Sequence, residues 1–381
     1  MAGRSAAVKM SRLSSFHMPA EWGRHARTLL AWPSRSSKSY PTAKNLVDAT
    51  NDVSSIVRAV AQFEPVTLIV DNDRVGEARQ KFGKARSKHF IQLHPIAAEG
   101  LDLWMRDIAP TFVIGEGADN QGGETAKVHS LLHGVDFNFN GWGNRHPAPG
   151  CLALAWSFLQ STNTERIQSS IVTEGGALET DGEGTLLATE SSIVNENRNP
   201  GKSRDNIESE LRRCLGVSKI IWVPGAKGLE TTDYHIDAQA RFARPGLVLL
   251  SRPAGPPDTV WARIYDETRD ILSRAVDAKG RSLGMIEVQE PDPDVLDLGE
   301  EATTDTEAEG PAVMSYVNYL LVNGGVIVPQ FGDKKADASA MTTIRDAFGP
   351  SRRAVGVFIN ELPFLGGGIH CATQQIPYVG N

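Results

Sequence analysis

The sequence has little of what nucleic-acid-binding proteins and integral membrane proteins require. Its 46 acidic residues outnumber its 39 lysines and arginines, which leaves a formal net charge of −7 at pH 7. A nucleic-acid surface normally needs a basic face or stripe, so this balance predicts no nucleic-acid partner and suits a small cationic ligand better. No apolar run approaches the roughly 20 residues of a membrane-spanning helix, and we therefore expect no membrane integration.

Cysteine is scarce, and its spacing argues against the usual structural uses of thiols. The chain holds Cys151, Cys214 and Cys371, with no CxxC pair and no histidine cluster of zinc type. We therefore expect neither a disulfide framework nor a structural metal, and a cytoplasmic location is the simplest interpretation. The composition is compatible with a homo-oligomer.

The first 17 residues are basic and lack the apolar segment of a secretory signal. We predict that residues 1–17 form a flexible N-terminal extension and that residues 18–381 form a single domain. A mitochondrial presequence is the less favoured alternative for this extension, because such presequences are also basic and poor in acids.

The chain also lacks the glycine-rich phosphate loops of many α/β proteins, since neither GxGxxG after a strand nor GxxxxGK[ST] occurs. What it does contain is a unit of strand, helix and strand that recurs five times. The strand pairs of these units are TLLAWPS with VTLIVD, TFVIG with SSIVTEGG, TLLATE with KIIWVPG, LVLLSRP with MIEVQEP, and VIVPQFG with AVGVFIN.

A single unit cannot bury its apolar faces alone. Five similar units could bury these faces against one another by packing around a common axis. This pattern predicts a radial α/β arrangement in one domain, and an open, doubly wound sheet is the alternative. Two segments rich in Gly, Pro and carboxylates read as insertions, GEGADNQGGETAK and the acidic stretch 288–312. Each is either a lid or a disordered excursion.

Four short segments place polar residues where strands are predicted to begin or end. They are WMRD (104–107), TEGG (173–176), DYHID (233–237) and GGGIHC (366–371). If DYHID is extended, its histidine and both aspartates, at positions 233, 235 and 237, point to one face because side chains alternate along a strand. An imidazole and carboxylates would then share a pocket, whereas the alternative is a surface loop.

The other three segments have structural alternatives of their own. Asp107 could form an internal salt bridge beside the buried indole of Trp104. Glu174 could be a solvated acid in a turn, and Cys371 a small buried hydrophobe. The three glycines before His370 weaken that last alternative, because glycine lets the backbone approach a ligand closely and adopt positive φ.

Seven stretches along the chain are recognisable when taken together. They are MPAEWGRHARTLLAWPS, LDLWMRDIAPTFV, TEGGALETDGEGTLLATE, NENRNP, TTDYHIDAQARFARPGLVLL, VNGGVIVPQFGD and GGGIHCATQQIP. In order and spacing they resemble the agmatine deiminase and bacterial-type peptidylarginine deiminase family, over nearly the whole chain from about Met18 to Pro377. The resemblance implies a single-domain, five-bladed, pseudo-symmetric α/β propeller of the guanidino-group-modifying superfamily, which agrees with the five units.

The resemblance also implies an activity, the hydrolytic deimination of a guanidino compound to a ureido product and ammonia. Cys371 would be the nucleophile and form a covalent thiouronium intermediate. His235 would be the general acid and base, and Glu174 would orient it. Neither a metal nor an organic cofactor is implied, and we expect His235 to favour the thiolate of Cys371.

The same resemblance implies that Asp107 and Asp237 hold the guanidinium and that Trp104 lines the alkyl chain of the substrate. Physical chemistry supports these roles. A guanidinium is planar, cationic and resonance-stabilised, so attack on its carbon needs a strong nucleophile and carboxylates that fix its plane. The predicted ligand is therefore a small cationic guanidino compound, with agmatine favoured.

Departures from the family bear on the choice of substrate. Many agmatine deiminases read DDAWMRD and DTDGHVD where this chain has LDLWMRD and TTDYHID. Leu101 and Thr231 thus each replace an acid, and Tyr234 replaces glycine, for which we expect an ordinary extended backbone. Fewer acids and more bulk would favour an arginine blocked at its amine or carboxylate. Further alternatives are an amidinotransferase and a catalytically silent guanidine-binding protein.

Overall fold

The strands in the described part of the chain form five separate small sheets. A computed structural model describes residues 16–83, 87–118, 128–296 and 312–380. The strands are β1 His25–Ala31, β2 Val66–Asp71, β3 Ile91–Ile96, β4 Thr111–Ala118, β5 Val128–Asp136, β6 Glu165–Gln168, β7 Glu179–Thr180, β8 Thr185–Thr189, β9 Lys219–Val223, β10 Ala240–Arg244, β11 Leu247–Arg252, β12 Gly284–Gln289, β13 Leu320–Val322, β14 Gly325–Gln330, β15 Arg353–Phe358 and β16 Gln374–Pro377.

Every sheet repeats the same pairing. The orders are β16-β1-β2-β3, β4-β5-β6, β7-β8-β9, β10-β11-β12 and β13-β14-β15. In each, the first pair is antiparallel and the second is parallel, and the sheet around β1 adds one more parallel strand. The protein is thus an α/β domain built from five related units.

A long helix joins the strands of the parallel pair in every unit. The helices are α1 Ala43–Val60, α2 Val75–Phe82, α3 Met105–Ile108, α4 Gly141–Asn144, α5 Pro149–Ser161, α6 Glu190–Ile193, α7 Arg204–Leu215, α8 Ile236–Gln239, α9 Val260–Arg274 and α10 Lys334–Phe348. Parallel strands need a crossover of a dozen or more residues, which a helix supplies. The five crossover helices are α1, α5, α7, α9 and α10, in the places where the sequence predicts them.

Local sequence signals set the ends of α7. The Ser203 hydroxyl accepts a hydrogen bond from the Asn206 amide, and the Asn206 side chain accepts one from the Ser203 amide, which is a capping box. At the other end Gly216 has φ 69°, a left-handed conformation that glycine adopts without strain. The capping box and the glycine therefore fix both ends of α7.

The apolar face of α1 shows how the helices join the core. Val53, Ile56, Val57 and Val60 are almost completely buried. Their spacing of three, one and three residues places them on one helical face. That face joins the largest apolar cluster, which includes strands β1, β2 and β14.

The second unit differs from its prediction. The sequence predicts a strand over SSIVTEGG, residues 169–176, but β6 lies just before it. Side chains bind the backbone of this stretch instead: the Ser170 amide donates to Glu210 at 2.6 Å and the Val172 amide donates to Asn199 at 2.9 Å. The prediction was wrong because these hydrogen bonds engage backbone amides that would otherwise pair with a neighbouring β-strand.

Arg241 on β10 connects several units through one buried cation. Its side chain is completely buried, and its Nε donates to the Glu179 carboxylate on β7 at 2.6 Å. A second nitrogen pairs with Glu21, and Nη1 donates to the Tyr319 carbonyl at 3.0 Å just before β13. One guanidinium therefore balances two buried carboxylates and joins residues near the starts of three strands.

The strand β16 brings a later part of the chain back to the first sheet. It pairs antiparallel with β1, and the Gln374 side chain donates to the Pro110 carbonyl at 2.8 Å, next to β4. Residues just before β16, including Cys371, therefore lie beside the segment that precedes β4. The amide of Arg106 in that segment donates to the Cys371 carbonyl at 3.0 Å.

Several predicted features are only partly described. Residues 1–15 of the predicted extension, and segments 119–127 and 297–311 of the two predicted insertions, lie outside the described residues. His17 is described, and it exchanges two backbone hydrogen bonds of 2.8 Å with Ile114. In the described ranges, no helix has the length and apolar character needed to cross a membrane.

Removing the Arg241 side chain should destabilise the fold strongly. We expect Arg241→Ala to lower the free energy of unfolding by about 3–5 kcal/mol, because Glu21 and Glu179 would remain buried without their cation. Urea denaturation measures this change. Arg252→Ala, on the exposed end of β11, is the control and should change the free energy by less than about 0.5 kcal/mol. A loss below about 1 kcal/mol in Arg241→Ala would show that the network does not hold the units together.

Candidate active site

Five turns carry polar side chains toward one place. Each turn lies just before the antiparallel strand that opens a unit, namely β4, β7, β10, β13 or β16. In chain order the turns contribute Asp107, Glu174, His235 with Asp237, Asn318, and Cys371. Each of the four polar segments thus lies just before a strand, and the distances below show that their side chains meet.

His235 lies between two carboxylates. Its Nε2 is 3.3 Å from Glu174 Oε2, and its Nδ1 is 3.7 Å from Asp107 Oδ1. Burial alone would lower the pKa of His235, but the charges of Asp107, Glu174 and Asp237 outweigh burial and raise this pKa to about 9. The imidazole is therefore protonated at neutral pH and can donate a proton.

Glu174 is held in place by a buried arginine. Arg198 Nε donates to both carboxylate oxygens of Glu174, at 2.8 and 3.0 Å, and both side chains are fully buried. Burial opposes ionisation of Glu174, but Arg198 and His235 outweigh it and lower its pKa. Glu174 thus remains an anion that fixes the orientation of the His235 ring.

Asp107 is fixed by two donors. Trp142 Nε1 donates to Oδ2 at 2.8 Å, and the Gly176 amide donates to Oδ1 at 3.0 Å. Burial is the main reason that the pKa of Asp107 is raised, although the charge of His235 partly offsets it. A cation placed beside this carboxylate would stabilise its ionised form.

Asp237 carries the carboxylate nearest the thiol. Its Oδ2 is 2.7 Å from His370 Nδ1 and 3.5 Å from Cys371 Sγ. Burial opposes ionisation, yet the hydrogen bond and charge of His370 lower the pKa of Asp237. Its Oδ1 is buried and has no hydrogen-bond partner among the described residues, so it remains free to accept from a ligand.

The thiol of Cys371 lies in an anionic environment. Asn318 Nδ2 is 3.2 Å from Sγ, and Asn318 Oδ1 accepts from the His370 amide at 3.0 Å. Burial and then the charges of Asp237 and Asp107 raise the pKa of this thiol well above its usual value. Burial and these two carboxylates therefore oppose the thiolate that the sequence analysis expects.

Glycines in two predicted segments are required by close packing. A Cβ on Gly176 would come within 2.6 Å of His235 Nδ1, and one on Gly367 would come within 2.4 Å of the Trp104 ring. A Cβ on Gly368 would lie 2.5 Å from Asn318 Oδ1. These glycines therefore let site side chains approach the backbone, and of the three before His370 only Gly366 has a positive φ, of 92°.

Two recesses meet at Cys371. The smaller, of about 80 Å³, is lined by Trp104, Asp107, Trp142 and the buried Asp102. The larger, of about 390 Å³, reaches the same thiol and is lined by further residues that include His235, Asp237, Tyr234, Trp261, Met314 and Glu290. The thiol is thus accessible from a cavity large enough for a small-molecule ligand.

The segment DYHID is not a strand. Asp233 and Tyr234 have φ of 62° and 73°, and His235 immediately precedes the short helix α8. The expectations of an extended segment and of an ordinary extended backbone at Tyr234 were therefore wrong. Glu230 accounts for the difference, because its carboxylate accepts hydrogen bonds from the amides of Thr232 and Tyr234 and tightens the turn.

Asp233 consequently does not join His235 and Asp237 in one pocket. It pairs with Arg198 at 2.6 Å and with Arg145 at 2.8 and 2.9 Å. Burial opposes ionisation, but these arginines and the Gly228 amide lower the pKa of Asp233. Its role is to hold Arg198, which in turn holds Glu174.

Sequence reasoning missed four residues that shape the site. These are Trp142, Arg198, Asn318 and His370, which contact Asp107, Glu174, Cys371 and Asp237 respectively. Arg198 lies in the recognised stretch NENRNP, and His370 lies beside Cys371 in GGGIHC. A signal was therefore present for these two, whereas Trp142 and Asn318 lie outside every recognised stretch.

Comparison with known proteins agrees with this geometry. The family described as Porphyromonas-type peptidyl-arginine deiminase matches residues 17–377. The agmatine deiminase of Stutzerimonas stutzeri is 36% identical over 382 residues, covering 96% of each chain, and that of Medicago truncatula is 35% identical over 384 residues, covering 96% of this chain and 97% of its own. The solved agmatine deiminase of Enterococcus faecalis superposes with a TM-score of 0.80 at 28% identity, covering 95% of this chain and 96% of its own. With a match over nearly its whole length, this chain belongs to the Porphyromonas-type peptidyl-arginine deiminase family.

Proposed function

We propose that the protein hydrolyses the guanidinium group of agmatine to a ureido group and ammonia. One observation carries this proposal: the Cys371 thiol lies 3.5 Å from the Asp237 carboxylate. The same site contains His235, which is protonated at neutral pH. Relatives named agmatine deiminase support agmatine as the substrate.

Asp107 and Asp237 bind the guanidinium in this proposal. Both are buried near His235, and Oδ1 of Asp237 lacks a partner among the described residues. Carboxylates form short, charge-assisted hydrogen bonds with a guanidinium and fix its plane. Trp104 lines the smaller recess beside Cys371, where its ring contacts the part of the alkyl chain next to the guanidinium.

Substrate binding also activates the nucleophile. Burial is the largest cause of the raised pKa of the Cys371 thiol, and the charges of Asp237 and Asp107 raise this pKa further. A bound guanidinium cancels those charges, so the thiol loses its proton to water more readily once the substrate is present. The thiolate therefore forms where the electrophilic carbon lies.

The first chemical step forms a bond between Cys371 Sγ and the central guanidinium carbon. His235 gives its proton to a terminal nitrogen, and the bond between that nitrogen and the carbon breaks. Ammonia leaves, and a thiouronium group remains on the sulfur. Glu174 keeps the His235 ring in position throughout this transfer.

The second step uses water as the only further reactant. The neutral His235 takes a proton from water while the oxygen attacks the thiouronium carbon. The bond between carbon and sulfur then breaks, the new hydroxyl proton passes to the sulfur, and the ureido product leaves. His235 is again protonated and Cys371 is again a thiol, so the cycle is closed.

The five related sheets support a matching proposal for the architecture. We infer a five-bladed propeller in which each strand, helix and strand unit is one blade and residues 18–381 form one catalytic domain. The turns that open the five units supply the site, and Arg241 links strands of different units. Units arranged around one axis would place these turns together at its end.

An arginine derivative blocked at its amine or carboxylate is the second candidate substrate. The larger recess favours it, because about 390 Å³ beside Tyr234 and Trp261 can hold a bulky group. Ammonia release from a panel of agmatine, free arginine and blocked arginines separates the candidates. We expect agmatine to have the highest kcat/KM, and a higher value for a blocked arginine would contradict the agmatine proposal.

Cys371→Ala should abolish turnover and keep agmatine binding, because the carboxylates that hold the guanidinium are unchanged. Ammonia release measures turnover, and calorimetry measures binding. Cys214→Ala is the control, since that buried thiol lies in the apolar core and should not affect catalysis. Turnover within about tenfold of the wild type in Cys371→Ala would disprove the nucleophile assignment.

Asp237→Asn should have opposite effects on two readouts. We expect kcat/KM for agmatine to fall by about tenfold or more, because a charge-assisted contact is lost. We also expect neutral iodoacetamide to alkylate Cys371 faster at pH 8, because loss of the Asp237 charge lowers the thiol pKa. Asp205→Asn, on the exposed start of α7, is the control. Unchanged alkylation in Asp237→Asn would show that Asp237 does not control the thiol.

The raised pKa of His235 can be measured by its NMR titration. The midpoint should lie near pH 9 in the wild type. It should move to lower pH in Glu174→Gln, because one of the carboxylates that favour the imidazolium is then neutral. Glu183→Gln, in an exposed turn, is the control. A midpoint near 6.5 in the wild type would contradict the arrangement of carboxylates around this ring.

A further inference from the structure

A carboxylate outside the group described above lines the larger recess. Glu290 immediately follows β12 and lies half-buried on the wall of the cavity that Cys371 and Asp237 also line. The Ser251 hydroxyl donates to Oε1 at 2.7 Å, and the Ala254 amide donates a second hydrogen bond. A carboxylate offers about four acceptor positions, so capacity for a ligand remains.

No cation within the described ranges balances this carboxylate. Burial raises the pKa of Glu290 to about 7, and only neutral donors, Ser251 and Ala254, oppose that rise. Two other carboxylates line the recess. Asp237 is assigned to the guanidinium in the proposed function, and Glu230 is already engaged, since Thr232 and Tyr234 donate three hydrogen bonds to it. Glu290 is therefore the carboxylate that remains for a second cationic group of the ligand.

The wall beside Glu290 is aromatic. The Tyr234 ring lies 5.1 Å from the Trp261 ring between centroids, tilted by 55°. Tyr234 and Glu290 line the same cavity, and burial first, and then the charge of Glu290, raises the pKa of the Tyr234 hydroxyl. Tyr234 holds a φ of 73°, which costs about 1–3 kcal/mol for a bulky residue and persists only where its surroundings enforce it.

We propose that Glu290 binds the cationic far end of the substrate, and that Tyr234 and Trp261 line the path of its alkyl chain. This inference rests on the proposed function, because it takes Cys371 and Asp237 as the place of the guanidinium. An ammonium group at this place would interact with the faces of the aromatic rings and would form a charge-assisted hydrogen bond with the half-buried carboxylate.

The same arrangement selects against a carboxylate at the far end. Free arginine carries its α-carboxylate next to its amine, and Glu290 would repel that group. Agmatine has the ammonium alone. The replacement of glycine and an acid by Tyr234 and Thr231 therefore does not remove the capacity for a cationic end, because Glu290 supplies the charge from the segment after β12.

The test compares two guanidines of nearly equal size. Agmatine carries an ammonium where n-pentylguanidine carries a methyl group. We expect Glu290→Gln to lower kcat/KM for agmatine by about tenfold or more, mainly through KM, because a charge-assisted contact is lost. The kcat/KM for n-pentylguanidine should not fall. Glu287→Gln, exposed on β12, is the matched control and should affect neither substrate.

Glutamine has nearly the size of glutamate and can still accept from Ser251 and Ala254, so Glu290→Gln should keep its fold, as its Tm will show. Equal losses on both guanidines, or no loss on agmatine, would overturn the role of Glu290. Failure of the wild type to release ammonia from either guanidine would count against the proposed function instead. In that case, agmatine affinity measured by calorimetry in the wild type and in Glu290→Gln still decides whether Glu290 binds the cationic end.

Discussion

A buried chain of alternating charges is the constraint on which the rest of the structure depends. Arg241 balances Glu21 and Glu179, and Glu21 also lies 2.9 Å from His370 Nε2. His370 in turn lies 2.7 Å from Asp237. Because a buried charge is costly without its partner, these contacts bring strands from different sheets to one point. The carboxylate beside the thiol is thus fixed by the same contacts that hold the units together.

This constraint gives the site an excess of negative charge next to a thiol. Asp107 and Asp237 disfavour the thiolate of Cys371. The Oδ1 atom of Asp237 has no hydrogen-bond partner among the described residues. In the proposed function a guanidinium supplies the missing cation, so the contact proposed to bind the substrate would also promote the proposed nucleophile. A second uncompensated carboxylate, Glu290, extends this electrostatic selection to the far end of the larger recess.

Predictions from local pattern succeeded where the physical cause is local. The helix α7 begins and ends where Ser203 and Gly216 indicate, because caps act on neighbouring backbone groups. The antiparallel strands β7 and β13 have only two and three residues, too few to show a period, so the sequence did not identify them. The stretch 169–176 has the composition of a strand, but distant side chains of Asn199 and Glu210 bind its backbone instead.

The sequence by itself determined the five α/β units, the crossover helices, the family resemblance and the polar residues of the four recognised segments, because each rests on periodicity, caps or motifs within short stretches. Only the tertiary structure decided the direction of the Cys371 pKa, the left-handed turn at Tyr234 and the roles of Trp142, Arg198, Asn318, His370 and Glu290. Those features arise from electrostatic and hydrogen-bond contacts between residues far apart in the chain, and such contacts leave no periodic signal along it.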